Sequence, residues 1–324
     1  MKQNTPTQVV DNLCNFLYNA NMKKLFLSVF LTVLSATAMS KEVVTIVYSW
    51  SPADVAANFH RTLVNEANRI QDKYTFIFDT KPGAGGTVAA NHVANTPNTI
   101  LATASAFFIR PNFFPNESHD LNNFKELMPQ CSAPGVVTSS KYKSWKDVPT
   151  DQPLTIGMSG MGTTTHLIAA QIIKRYPKMT VIPYKSTSEA VTSVLSGNID
   201  FAVNFIGDSA QYTEAGSPKK IYMLGITGDQ TINGVAPLVT QGFTRNLARM
   251  NVPAQLVVPK NMSESKFNDL RQILVKAGQS KTVNDSFAVD YCQSMNQMPT
   301  ENLQGYYNLQ VAEWQRLSSG VSLK

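Results

Sequence analysis

Two glycine-rich turns hold the residue types and spacing best suited to chemistry in this 324-residue chain. They are Lys81-Pro82-Gly83-Ala84-Gly85-Gly86-Thr87 and Gly157-Met158-Ser159-Gly160-Met161-Gly162-Thr163-Thr164. Glycine allows φ > 0 and lets main-chain N–H groups come close to a ligand. Each turn stands between a segment that reads as a strand and one that reads as a helix. The unpaired amides and positive dipole end of the helix therefore add to the turn. The chemistry on offer is recognition of a carboxylate or phosphate.

Catalytic readings fit less well. Gly83 to Val88 has valine where a dinucleotide-binding fingerprint needs its last glycine, and Gly157-Met158-Ser159-Gly160-Met161 lacks the final glycine of a nucleophile elbow. Ser140-Lys141-Tyr142-Lys143 matches S-x-x-K without the companion motifs. A secreted hydrolase or transferase using Ser159 and His166, seven positions apart, is the alternative from another class; no third group is in view to orient the pair. His60, His92, His119 and His166 stand singly, and there is no C-x-x-C or H-x-x-x-H, so neither a metal nor a cofactor is expected. The expectation is a binding protein and not an enzyme.

Met22-Lys23-Lys24, an apolar run from Leu25 to Leu34 and the small residues Ser35 to Ser40 have the layout of a secretory signal peptide. The run is too short for a membrane span, which needs roughly 18 to 20 apolar residues. Residues 1 to 40 are taken as the leader, with 1 to 21 a possible upstream extension, and the protein is expected in the periplasm without an anchor. Cys14 precedes the apolar run and falls within the leader, which leaves Cys131 and Cys292. In an oxidising compartment that pair either bridges or stays buried and apart. The whole chain carries a formal +6 without a Lys/Arg run, which argues against nucleic-acid binding.

What remains after residue 40 exceeds one ordinary core and suits two domains. Strands are expected at Val43 to Tyr48, Tyr74 to Asp79, Thr99 to Ala104, Gly135 to Ser139, Leu154 to Met158, Thr180 to Tyr184, Ile199 to Phe205, Ile221 to Thr227 and Gln255 to Val258. Helices alternate with them: Val55, Phe59, Leu63, Ala67 and Ile70 share one face, and Phe267, Leu270, Leu274 and Ala277 share another. The last helix uses Leu303, Tyr307, Val311 and Trp314. The stretch through Pro111 and Pro115 reads as irregular. This is an α/β chain, and ligands of such sheets bind beyond the carboxyl ends of the strands, where both turns lie.

In order, Lys81 to Thr87 with Ala89-Ala90, Gly157 to Leu167, and Val181-Ile182-Pro183-Tyr184-Lys185 with Ala190, Leu195, Gly197 and Asp200 resemble the tripartite tricarboxylate transporter solute receptors of the Bug (Bordetella uptake gene) type. The similarity runs from about Val43 to Leu317. It implies a two-domain clamshell of the periplasmic binding protein type II kind, each domain a mainly parallel sheet flanked by helices. Residues 41–138 plus 251–324 would form domain 1, and 139–250 domain 2. The receptor would be a monomer that closes on a small organic acid and delivers it to membrane permease subunits; a ligand-sensing partner of a membrane signalling protein would share the fold.

Carried over from the resemblance, the ligand residues are Ser49, Trp50, Ser51 and Asp54 of the first loop, with Gly83, Ala84, Gly85, Gly86 and Thr87 of the second. Ser105 joins them, and across the cleft stand Ser159, Gly160, Met161, Gly162, Thr163, Thr164, His166, Tyr184, Lys185 and Asn204. Each has a plainer use. The glycines can simply turn the chain, Ser159 and Thr163 can cap a helix, His166 and Tyr184 can pack, and Lys185 can lie at the surface. Asp54 can cap its helix; as a ligand residue it would repel a carboxylate and suit an amine. The first loop departs from the family pattern: its glycines are replaced around Trp50, which offers an aromatic wall for a larger or aromatic ligand.

Overall fold

The computed structural model describes residues 41–213, 220–288 and 301–321. Among these residues ten strands form two five-stranded sheets. The first holds β1 (Glu42–Tyr48), β2 (Tyr74–Thr80), β3 (Thr99–Ala104), β4 (Phe124–Ala133) and β10 (Val252–Pro259), in the order β2-β1-β3-β10-β4. The second holds β5 (Gly135–Ser139), β6 (Leu154–Met158), β7 (Met179–Pro183), β8 (Phe201–Phe205) and β9 (Tyr222–Ile226), in the order β7-β6-β8-β5-β9. The two orders are equivalent. β1 and β3 run parallel, as β6 does with both β7 and β8, whereas β10 and β5 are antiparallel to their neighbours. The sheets are therefore mixed, because the fourth strand of each arrives from the other lobe and not through a right-handed crossover.

Both passages between the lobes meet at one knot of hydrogen bonds. β4 ends at Ala133 and β5 starts at Gly135, while the return leads into β10 at Val252. Thr227, fully buried, donates its backbone N–H to the Gly135 carbonyl at 2.8 Å. Its Oγ1 accepts from Gly135 N–H at 2.8 Å and donates to Asn251 Oδ1 at 2.9 Å. One threonine thus ties together the two strands that join the lobes.

Helices cover the sheets by the expected apolar stripes. In α1 (Val55–Arg69) Phe59, Leu63 and Ala67 are buried one above another. α2 (Thr87–Asn95) follows a short 3-10 turn, Ala84–Gly86, and buries Ala89, Ala90 and Val93. The second lobe places α4 (Thr164–Ile173), buried on nearly every side, against its sheet, with α5 (Thr187–Leu195) and the short α6 (Ile206–Ser209) beside it. Later come α7 (Glu264–Gly278), α8 (Lys281–Ala288) and α9 (Leu303–Ser318).

Beside α6 and α8, which the sequence reading did not foresee, two elements differ from expectation by breaking a local rule. β4 carries Glu126, Pro129 and Gln130, which hid a strand; it lies at the sheet edge, where proline is tolerated, and its pairing with β10 has two register shifts. The irregular stretch contains α3 (Ala106–Phe113), a helix with Pro111 inside it. Proline lacks the N–H that would bond to the carbonyl four residues earlier, Phe107. That carbonyl instead accepts from His119 Nε2 at 2.9 Å, and the His119 ring stacks on Phe107 at 4.5 Å. Burial pulls the His119 imidazole down to a pKa of about 4, so it is the neutral ring that plugs the gap. Cys131 is buried and disulfide-bonded. Cys292 and the signal-peptide region lie outside the described residues.

A histidine that replaces a missing amide makes a testable repair. His119→Phe keeps an aromatic ring on Phe107 and strands the carbonyl, which costs about 1–3 kcal/mol. Urea unfolding should show a lower midpoint with an unchanged slope.

Candidate functional site

Four helices begin at one cavity between the two sheets. Their N-cap residues are Asp54 for α1, Ser105 for α3, Thr163 for α4 and Ser186 for α5, and all four line the space. Val55, Ala56, Ala106, Thr164, Thr165 and Thr187 line it from the first turns of the same helices. Each N-terminus exposes amide groups without intrahelical partners and the positive end of a macrodipole, so the four together make a field that favours negative charge. The rest of the wall comes from strand ends and the lobe crossing: Tyr48, Thr103, Ala104, Ala133, Val252, Ala254 and Phe205, with Trp50, Phe59 and His60. The cavity measures about 90 Å³, room for a small metabolite in place of a few waters.

Most of the polar side chains in the wall carry hydroxyls. Thr163 Oγ1 lies 2.9 Å from Thr165 Oγ1 and donates to the Gly160 carbonyl at 2.8 Å. Ser159 Oγ lies 2.9 Å from Thr165 Oγ1. Ser186 Oγ accepts from Glu189 N–H at 3.2 Å. Ser105 Oγ pairs with Thr164 Oγ1, a contact that joins the lobes across the cavity.

Charge in the cavity comes from two acids. Asp54 is the N-cap of α1 yet makes no side-chain cap bond, and its buried Oδ1 has no hydrogen-bond partner. Burial, then the nearby Asp208 carboxylate, raises the Asp54 pKa to about 7, against lowering hydrogen bonds from Ser51 and Tyr48. Asp208 is raised as well, chiefly by burial; its Oδ1 accepts from Ser188 Oγ at 3.1 Å. His60 is buried with Nδ1 2.8 Å from the Ala56 carbonyl and Nε2 3.0 Å from Gln130 Oε1. Burial lowers its pKa to about 4, so it carries no charge at neutral pH.

Of the sequence-predicted residues, Trp50, Asp54, Ser105, Ser159, Thr163 and Thr164 line this cavity. The glycines of the two turns do not. Gly85 has φ +59, and a Cβ there would sit 3.2 Å from Arg110 Cδ; Gly162 has φ +72, and a Cβ there would meet the Phe114 ring at 3.2 Å. Arg110, from α3, also donates from Nη1 to the Met161 carbonyl at 3.1 Å. The two turns therefore receive α3 and the residue after it. Gly83, Ala84, Gly86, Thr87 and Gly160 are likewise absent from the wall.

The other candidates are engaged elsewhere. Ser49 Oγ donates to the Ala102 carbonyl, and Ser51 Oγ accepts from Ala53 N–H. His166 Nδ1 accepts from Gly162 N–H and its ring packs on Phe113. Ser159 meets Thr165 and not His166, which leaves the hydrolase reading without its nucleophile–base contact. Tyr184 OH pairs with Ser193, Lys185 is exposed, and Asn204 is buried between Thr138 and Ser209. Sequence reasoning missed Tyr48, His60, Thr165, Ser186, Thr187 and Asp208. Ser186 was findable, since Ser186-Thr187-Ser188-Glu189 has capping-box spacing.

A buried Asp54 with one unpaired oxygen has a sign-definite effect on stability. Its folded pKa exceeds the unfolded value, so the folded state holds the proton more tightly and stability falls as pH rises from about 4 to about 7. Asp54→Asn removes this dependence. Its gain over the wild type should grow by roughly 2–3 kcal/mol between pH 5 and pH 8. Chemical unfolding of both proteins at the two pH values checks this, and titrating groups that do not interact with Asp54 cancel in the difference.

Among the described residues no helix is long and apolar enough to cross a membrane. The periplasmic binding protein BugD superposes with TM-score 0.75 at 17% identity, covering 85% of this chain and 96% of that one. An R. palustris protein solved with adipate gives 0.73 at 16% identity, covering 87% and 97%. MatC from Rhodopseudomonas palustris, with bound malate, gives 0.73 at 15% identity, covering 86% and 100%. A curated relative, the UPF0065 protein in the tcbD-tcbE intergenic region of Pseudomonas sp. (strain P51), is 23% identical over 164 residues, 47% of this chain and 48% of that protein. The chain thus matches about half the length of that relative. The family described as tripartite tricarboxylate transporter family receptor matches residues 61–318. With the two mixed sheets and the cavity between them, this match establishes that the chain belongs to the tripartite tricarboxylate transporter receptor family, a family of solute-binding receptors.

Proposed function

We propose that this chain is a periplasmic receptor that captures a small organic acid between its lobes and delivers it to the membrane subunits of a tripartite tricarboxylate-type transporter. The observation that carries the reading is the meeting of four helix N-caps at one cavity. Partial positive charge fixed in the backbone suits a carboxylate without a lysine or arginine in the wall. Adipate and malate, named with two of the similar structures, belong to the same chemical class.

The hydroxyls of Ser105, Ser159, Thr163 and Thr164 orient the acid, and Trp50 closes one side. The Ser105–Thr164 contact and the Arg110 bond to Met161 hold the lobes together over it. Residues 41–138 plus 251–324 act as one lobe and 139–250 as the other, moving about the Thr227 knot. Residues 1 to 40 act as the export signal, and the receptor works as a monomer.

Thermal melting with a panel of four- to six-carbon acids tests the reading. A binder at a hundred times its Kd adds about 2.7 kcal/mol to the folded state, seen as a concentration-dependent rise in Tm. Ser159→Ala should weaken that acid about fivefold, the loss of one ordinary hydrogen bond. A panel in which no acid shifts the melting temperature contradicts the proposal.

A further inference from the structure

The acid-receptor reading leaves two carboxylates in the cavity without a task. Asp54 comes from the first lobe and Asp208 from the second, and each is 8% exposed. Asp208 has the Thr187 hydroxyl, Phe205 N–H and Ser188 Oγ as donors, which leaves it one acceptor position of about four. Asp54 has a buried Oδ1 with no partner at all, on a residue that stands at a helix N-cap and does not cap. No lysine or arginine is among the lining residues, and the one lining imidazole, His60, is neutral.

Leaving a buried carboxylate oxygen unpaired is costly, and two such groups near one another repel. The repulsion is felt: Asp208 contributes to the raised pKa of Asp54, and exposed Glu189 adds a smaller push of the same sign. A cation in the cavity would relieve all of this. The four helix N-termini that share the wall call for the opposite charge. One small molecule satisfies both demands if it is a zwitterion.

We propose that the ligand carries a protonated primary amine alongside its carboxylate, with the ammonium seated between Asp54 and Asp208 and the carboxylate at the helix N-termini. An ammonium has three donors and no acceptor, which matches the free Asp54 Oδ1 and the acceptor capacity left on Asp208. Because each lobe supplies one carboxylate, the ammonium also bridges the lobes. The chemical class is an aliphatic amino acid. This assignment rests on the acid-receptor reading and sharpens it.

Isothermal titration of the purified protein with matched pairs tests the assignment: butyrate against 4-aminobutyrate, succinate against aspartate, and butylamine as the amine without an acid. The amino acid of at least one pair should bind ten times more tightly, or better, than its amine-free partner. Asp54→Asn and Asp208→Asn should each erase that ratio, with unchanged circular dichroism confirming the fold. Amine-free acids that bind as tightly as their amino partners in the wild type overturn the ammonium seat and leave the acid receptor standing. Butylamine binding as tightly as 4-aminobutyrate overturns the acid reading and leaves the ammonium seat. Binding by no member overturns both.

Discussion

Convergence of four helix N-termini on one small cavity is the constraint from which the rest of the molecule follows. Such a meeting concentrates unpaired amides and partial positive charge in one small space, so it must be balanced by hydroxyls, by acids or by a guest. This chain places hydroxyls and acids in the wall. Thr163 and Ser186 cap their own helices, whereas Asp54 and Ser105 leave their helices uncapped and face the cavity. The two N-caps that forgo a local bond both belong to the first lobe.

The second lobe is brought to that place by α3. Pro111 breaks its hydrogen-bond ladder, His119 repairs it, and Arg110 from the same helix reaches the carbonyl of Met161. Phe114 packs against the glycine of the opposing turn. Gly85 and Gly162 are needed where α3 and Phe114 pass close to the two turns, and the cavity lies to one side. Two lobes linked by adjacent strands and a single threonine knot have few covalent restraints on their separation, so contacts such as these set how closed the cavity is.

Much of the fold was legible in the sequence. β3, β5 and β6 are short runs of mainly apolar residues, buried on both faces, and their expected bounds match those found. β4 and α3 were not legible, because each breaks a local rule and is rescued from far away: an edge position accommodates Pro129, and His119 satisfies Phe107. The site was legible in part. Asp54, Thr163 and Thr164 stand at strand-to-helix turns that pattern could find, and Ser105 follows the legible strand β3. Asp208 and His60 reach the cavity only because the two sheets meet, and no spacing along the chain records that. Glycine content drew attention to the right turns; whether a glycine admits a ligand or a neighbouring helix depends on what packs above it.

A ligand-bound structure tests the central claim most directly. After co-crystallisation with an acid that binds, a carboxylate oxygen should lie within about 3.2 Å of donors at the N-caps of α3, α4 or α5. An acid held instead by the main chain of Gly83 to Gly86, with the N-cap cavity left to solvent, would contradict the account.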